Sequence, residues 1–236
     1  MFNLCIIDLV IIIVFIVYFI FGLKKGITKS AVSFLFALIS IFFSSFFASY
    51  LSKFLFNSFI KENMLINISN ALKNTVDQDI LLRSNAVLST FPDPILKLFS
   101  YYGITSDTIN TSIYGTTEQA TLIIMNMLSP IILDLIRIIS FLVLSTILSL
   151  IIKPFKISLI RFAKLPVINV IDSALGGAFG LLKCILIILV FCTIINLVVP
   201  MSDDLANVFN EQSIKSTYLF KYIYYNNPII NILNSL

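Results

Sequence analysis

The sequence predicts an all-α integral membrane protein with four transmembrane helices, an extracytoplasmic helical insertion and a C-terminal amphipathic tail. Of its 236 residues, 58% are hydrophobic and only 12% are charged, and the mean hydropathy is +1.02. Soluble domains usually carry about 25% charged residues. The apolar residues also fall into runs of about 20, the length that crosses about 30 Å of hydrocarbon.

The first predicted helix pair occupies residues 1–56. Its spans are residues 4–23 and about 31–52, and the second of these contains no charged residue. A cleaved signal peptide has its positive charges before the apolar core. Here Lys24 and Lys25 follow the core, so we expect the first span to remain in the membrane.

Residues 57–130 are predicted to form the extracytoplasmic insertion. They are polar enough to be solvated, yet apolar residues recur at spacings near three and four through residues 64–90, which indicates helices. These residues are Ile66, Leu72, Val76, Ile80, Leu81 and Leu88. We interpret them as a small helical insertion at the outer membrane surface rather than a separately folded domain. Residues 121–128 either extend the third span or lie in the interface, and Pro130 favours a break there.

The second predicted helix pair occupies residues 131–200, with spans at about 131–152 and 174–199. Pro130 suits the first turn of a helix, and Pro200 closes the fourth span.

The tail, residues 201–236, contains a candidate helix at 214–225. Tyr218, Tyr222 and Tyr225 would share one face of that helix. Tyrosines favour the headgroup region of a membrane. The helix is therefore predicted to lie in the interface or, alternatively, to dock onto a partner protein.

The short basic loops predict the orientation of the chain. Positive residues favour the cytoplasmic side of the membrane. In the two short loops they are Lys24, Lys25 and Lys29, and then Lys153, Lys156, Arg161 and Lys164. Both loops are therefore expected to face the cytoplasm, with both chain termini extracytoplasmic.

Small residues predict where membrane helices pack. Gly176 and Gly180 form a G-x-x-x-G motif, which lets helix backbones approach closely. Ser40, Ser44 and Ala48 recur every four residues and are the expected partner of that glycine face. A glycine-lined pathway or hinge is the alternative interpretation.

Charged residues within the spans form a second candidate group. In the predicted orientation Asp8, Asp134 and Arg137 lie at similar depth in the outer leaflet. Charges inside a membrane are costly and usually paired, so we expect Arg137 to be paired with Asp134, Asp8 or both. Such a cluster is either a structural clamp or part of an ion or proton pathway. Lys183 is expected to extend its stem towards the cytoplasmic headgroups.

The composition also excludes several function classes. The sequence contains no histidine, which excludes Ser-His and Cys-His nucleophile pairs and imidazole metal sites. Its three cysteines lie in apolar runs and are interpreted as small hydrophobic residues. The net charge of +4 comes from clusters beside apolar runs. We therefore predict no enzyme, no cofactor, no metal and no nucleic-acid partner.

Two segments resemble the colicin V production protein (CvpA) family. In residues 7–44 the matching positions are Asp8, Gly22, Lys25 and Gly26; in residues 171–191 they are Asp172, Gly176, Gly180 and Lys183. The resemblance implies a bacterial inner-membrane protein that is accessory to toxin production and export or to envelope homeostasis.

Two functional hypotheses remain open. An accessory protein would have as partners the lipid bilayer and export or envelope membrane proteins, and would act by helix packing and docking. A small channel or transporter would be a homo-oligomer and would use the intramembrane charges. The small size of the chain favours the accessory protein, whereas the charges favour the channel.

Overall fold

The computed structural model describes residues 2–75, 79–162 and 169–235. These residues form helices joined by turns, with no strand among them. The predicted all-α class is therefore confirmed for the described part of the chain.

The helices are named here in chain order. They are α1 (Phe2–Leu55), α2 (Lys61–Lys73), α3 (Ile80–Leu88), α4 (Asp93–Tyr101), α5 (Ser106–Asn110), α6 (Thr117–Phe162), α7 (Asn169–Val198), α8 (Asp203–Val208), α9 (Glu211–Ser216), α10 (Leu219–Tyr225) and α11 (Pro228–Ser235). A π-helical turn, Phe56–Ile60, joins α1 to α2, and a 3₁₀ turn, Val199–Met201, follows α7.

Within the described ranges, three helical stretches are long and apolar enough to cross a membrane. They are Ile6–Lys73, Thr117–Ile160 and Ile171–Met201. Apolar side chains such as Ile13 and Leu150 are exposed along them, at 51% and 65% of their surface. Outward-facing apolar surface of this extent suits a lipid environment.

The first of these stretches contains a break in its helical backbone. Gly26 has a φ of 72° and a ψ of 172° inside α1, whereas an α-helix requires φ near −63°. The break divides α1 into two arms, residues 2–25 and residues 27–55. It lies in the segment that the sequence predicts as the first short basic loop.

The predicted break at Pro130 is absent. α6 is helical throughout Thr117–Phe162, so residues 121–128 belong to the same helix as the predicted third span. Proline costs a helix one backbone hydrogen bond, but a long helix tolerates this when neighbouring turns remain bonded. The Ser129 hydroxyl donates to the Met125 carbonyl oxygen at 2.5 Å just before the proline.

The predicted tail helix is divided in two. α9 ends at Ser216 and α10 begins at Leu219, because Thr217 is extended and its hydroxyl oxygen accepts the N–H of Lys221 at 2.9 Å. Tyr218, at 86% exposure, therefore precedes α10 instead of lying within it. The predicted continuous helix over 214–225 was wrong in this respect.

The described chain forms two compact units. The first comprises Met1–Ala48, Ser140–Ile195 and Phe209–Leu236; the second comprises Ser49–Ile139 and Asn196–Val208. α1 and α6 thus each contribute residues to both units.

The second unit surrounds an apolar core. Met64, Ile68 and Leu72 are buried at successive turns of α2, whereas Ile66, which the sequence periodicity grouped with Leu72, is 49% exposed. They pack in one cluster with Phe99 of α4 and Ile124 of α6. Residues 57–130, predicted as a small insertion, thus contribute to a unit with its own core.

Candidate functional site

The backbone break at Gly26 is held by Asp172. The Ile27 N–H, at the start of the second arm of α1, donates to Asp172 Oδ1 at 2.9 Å. A carboxylate at a helix N-terminus satisfies an otherwise free N–H and interacts favourably with the helix dipole. A Cβ atom on Gly26 would collide with the carboxylate of Asp172, so glycine is required both for its positive φ and for space.

The G-x-x-x-G motif contacts the first arm of α1. A Cβ atom on Gly176 would lie 2.6 Å from the carbonyl oxygen of Gly22 and 2.7 Å from the carbonyl carbon of Gly26. One on Gly180 would meet the carbonyl oxygen of Tyr18. The two backbones therefore touch directly, as small residues permit in membrane helices.

This contact corrects the expected partner of the glycine face. Ser40, Ser44 and Ala48 are buried, but the backbone that approaches Gly176 belongs to Gly22 and its neighbours. Gly22 and Gly26 lie four residues apart on α1, and the backbones of both meet Gly176. The longer four-residue period of the serines and alanine was the stronger pattern in the sequence, but the pair of glycines makes the contact.

Two lysines converge on one serine in the first unit. Lys156 Nζ of α6 donates to Ser33 Oγ at 2.6 Å, and Lys183 Nζ of α7 donates to the same oxygen at 2.9 Å. Ser33 lies in the second arm of α1 and is 6% exposed. Three helices thus bring two positive charges to one buried hydroxyl group.

A cavity of about 440 Å³ adjoins these residues and is called here the lysine cavity. Its polar lining consists of Ser33, Ser40, Ser145, Ser149, Lys153, Lys156 and Lys183. Apolar side chains complete the wall, and no acidic residue lines it among the residues that the structure describes. A smaller cavity of about 220 Å³ shares Ser33 and Lys183 and is also lined by Lys25.

The sequence did not predict this convergence. Lys153 and Lys156 were assigned to a topology loop and Lys183 to the headgroups, while Ser33 carried no assigned role. The serine lies 123 and 150 residues from its two lysine partners, and no local pattern reports such a pairing.

The other basic residues of the predicted loops lie at the surface or outside the described ranges. Lys24 is exposed, and Lys25 Nζ lies 5.8 Å from the centre of the Phe21 ring, a cation–π distance. The Arg161 side chain and Lys164 lie outside the described residues. Their predicted contribution to the orientation stays a prediction.

Asp8 holds the tail to the first arm of α1. Its carboxylate accepts the backbone N–H groups of Tyr218, Leu219 and Phe220 at 2.7, 3.2 and 3.0 Å. These N–H groups are at the start of α10, where a helix has no internal acceptors for them. Asp8 is therefore the N-terminal cap of a helix about 210 residues further along the chain.

A second contact fastens the tail to α7. The buried Asn227 side chain donates to the Leu189 carbonyl oxygen at 2.9 Å and to Thr193 Oγ1 at 3.1 Å. Its own oxygen accepts the Ile229 N–H at 3.0 Å, at the start of α11. The adjoining Asn227-Pro228 pair is a turn signal in the sequence, but it does not indicate the contact with α7.

Asp134 and Arg137, which the sequence places in the third predicted span, form a local pair in the second unit. Arg137 Nη1 lies 3.1 Å from Asp134 Oδ1, one turn apart on α6, and the Arg137 side chain is only 12% exposed. This geometry is that of an i,i+3 ion pair on one helix face.

The comparison with known families matches residues 119–227 to the family described as Colicin V production protein. The matched range includes the glycine motif, Lys156, Lys183 and the tail up to Asn227, but not the resemblance in residues 7–44. No match to a curated protein or to a solved structure was found. Residues 119–227 are therefore similar to the colicin V production protein family, in a chain whose described helices include three that are long and apolar enough to cross a membrane.

Proposed function

We propose that this protein is a multi-pass accessory protein of the bacterial inner membrane. In this role it supports production or export of a colicin V-type toxin, or envelope homeostasis, by docking partner membrane proteins. The family domain supports the general role. The role requires no covalent chemistry, so we propose a protein without enzymatic activity.

The proposed topology has four spans. The backbone break at Gly26 supports a division of the first long helix into two crossings, since each arm exceeds the roughly 20 residues that a crossing needs. The basic loops between the first and second spans and between the third and fourth spans favour the cytoplasm. Both termini and residues 57–130 would then be extracytoplasmic.

The observation that best supports the accessory role is that Asp8 caps helix α10. A transport site needs a charged group that its ligand can reach and leave. The Asp8 carboxylate instead accepts three backbone N–H groups, so its charge is already compensated within the fold. The buried Arg137 beside Asp134 is what favours the oligomeric channel as the second candidate.

The tail helix α10 offers the docking face. Tyr222 and Tyr225 are 71% and 51% exposed, and Tyr218 is exposed beside them. Tyrosine buries a large area and keeps a polar tip, which suits both headgroups and protein interfaces. The Asp8 and Asn227 contacts hold this face to the spans.

The test is photocross-linking in native membranes. A photoreactive phenylalanine analogue at Tyr222 is compared with the same analogue at Phe155, which is 67% exposed on α6. Recurrent adducts at Tyr222 with one export or envelope membrane protein, absent at Phe155, are the expected result. Adducts with other copies of this chain alone would overturn the accessory role and favour the oligomeric channel.

A further inference from the structure

We propose that the lysine cavity binds the phosphate group of an anionic phospholipid. The inference uses the first unit alone. It is independent of the docking role proposed above and of the orientation of the chain.

The lysine cavity has an excess of positive charge. Lys156 and Lys183 donate to one oxygen, which brings two ammonium groups together, and Lys153 lines the same space. Asp172, an acidic residue on the same helix as Lys183, is engaged with the Ile27 N–H. Like charges that converge in this way repel each other. A bound anion would offset that repulsion.

The donors suit phosphate among the anions. Lysine is a common phosphate ligand that acts as a point charge, and each phosphate oxygen can accept from several donors at once. Of the four serines that line the cavity, Ser40 already donates to the Phe36 carbonyl oxygen at 2.9 Å, and the other three hydroxyls can add neutral hydrogen bonds. Ser33 already orients two ammonium groups, so the donors are in position before the ligand arrives.

The apolar wall favours a lipid as the source of the phosphate. Phe36, Ile41, Leu186, Ile187 and Val190 line the cavity on the same helices as the lysines and serines. A volume of about 440 Å³ is within the roughly 300–1,000 Å³ of ligand pockets. Basic pockets between transmembrane helices are known to bind lipid headgroups. The apolar residues would contact the glycerol and the first part of an acyl chain.

The experiment measures lipid binding to the full-length protein after delipidation in detergent. Native mass spectrometry follows the addition of phosphatidylglycerol, with zwitterionic phosphatidylcholine as the comparison lipid. We expect one phosphatidylglycerol to be retained per chain in preference to phosphatidylcholine. Equal binding of the two lipids would overturn the proposal. Absence of retained lipid would also overturn it, unless inorganic phosphate binds in place of the lipid.

Matched variants test whether the bound lipid occupies the cavity. Lys156→Gln with Lys183→Gln should weaken phosphatidylglycerol binding by about tenfold or more, the loss expected when charge-assisted hydrogen bonds are removed. Lys24→Gln with Lys29→Gln removes the same charge from exposed residues outside the cavity lining and should change binding less than about twofold. Equal losses in both double variants would overturn the site.

A variant that changes no charge tests the cavity if the double lysine variant does not fold. Ala37 lines the cavity, and Ala37→Leu reduces the space without altering a charge. Folded Ala37→Leu protein that retained phosphatidylglycerol as the wild type does would overturn the proposal.

Competition with inorganic phosphate distinguishes a lipid phosphate group from free phosphate as the ligand of the cavity. Millimolar phosphate should leave phosphatidylglycerol bound if the apolar wall contributes. Displacement of the lipid by phosphate, or binding of phosphate alone that is lost in the lysine variant, would retain the site and replace the lipid by a free phosphate.

Discussion

The helices inside each of the two units pack through different interactions. In the first unit, helices meet through glycine backbones and through carboxylates and amides that bond backbone groups. In the second unit, apolar side chains from successive helices are buried in one cluster. Membrane helices gain little from moving an apolar side chain out of lipid, so close packing and hydrogen bonds dominate their association. Removal of apolar surface from water drives the packing of a solvated unit.

The largest effect is expected from Gly176→Leu, which breaks the backbone contact of the first unit. Overpacking usually costs about 1–3 kcal/mol when side chains can rearrange. Here the added atoms meet the backbone of Gly22 and Gly26, which cannot rotate away, so we expect a larger loss and little folded protein in the membrane. Thermal unfolding followed by circular dichroism is the measurement, beside the yield after extraction.

Ala178→Leu is the control for that substitution, because Ala178 is exposed on the same helix. We expect its unfolding temperature to stay near that of the wild type. Wild-type stability in Gly176→Leu would show that the close contact is dispensable.

Ile68→Ala tests the second unit and should have an intermediate effect. Ile68 is fully buried in the apolar cluster, and such truncations cost about 2–5 kcal/mol. Limited proteolysis should become faster within α2 to α5 while the long apolar helices remain protected. Ile66→Ala, at a side chain that is 49% exposed, should change the free energy of unfolding by no more than about 0.5 kcal/mol. Equal sensitivity at the two positions would argue against a solvent-shielded core.

The smallest of these effects is expected from Asp8→Asn, which weakens one polar contact of the first unit. Hydrogen bonds to charged groups contribute about 1.5–3 kcal/mol, and asparagine keeps one acceptor oxygen. We expect a loss of about 1–2 kcal/mol, seen as faster chymotryptic cleavage around Tyr222.

Glu211→Gln serves as the control for Asp8→Asn. It removes an exposed carboxylate that pairs with Lys215 on α9, and surface pairs of this kind contribute little. If Asp8 belonged to a transport pathway instead, Asp8→Asn would abolish flux in reconstituted vesicles and leave the cleavage of the tail unchanged.

The sequence predicted the features that depend on local pattern. Runs of apolar residues defined the long helices, and the family resemblance selected Gly22, Gly26, Asp172, Gly176 and Gly180. The structure brings these five residues into one contact. Periodicity indicated helices in residues 64–90 but not the buried face of α2, where Met64 and Ile68 are buried and Ile66 is exposed.

Features that depend on distant partners were not predictable. The hydrogen-bond donors to Asp8 are backbone N–H groups, which have no residue signature, so the sequence suggested Asp8 only as one of two possible partners of Arg137. Ser33 is one of many serines in α1, and only the three-dimensional arrangement distinguishes it. The sequence predicted a helix break at Pro130 from the proline alone. The helical turns on both sides of it, in a helix of 46 residues, are stable enough to continue through the proline.

Because Asp8 caps α10, this contact can form only after the tail has been synthesised. The first arm of α1 is made and inserted long before the residues that bond its carboxylate, which leave the ribosome about 210 positions later. During that interval the Asp8 carboxylate lacks its three N–H donors, so water or a temporary partner must supply its hydrogen bonds. Docking of the tail is then a late step of assembly, and a nascent chain stalled before Tyr218 would present a carboxylate that quality-control proteases or chaperones could recognise.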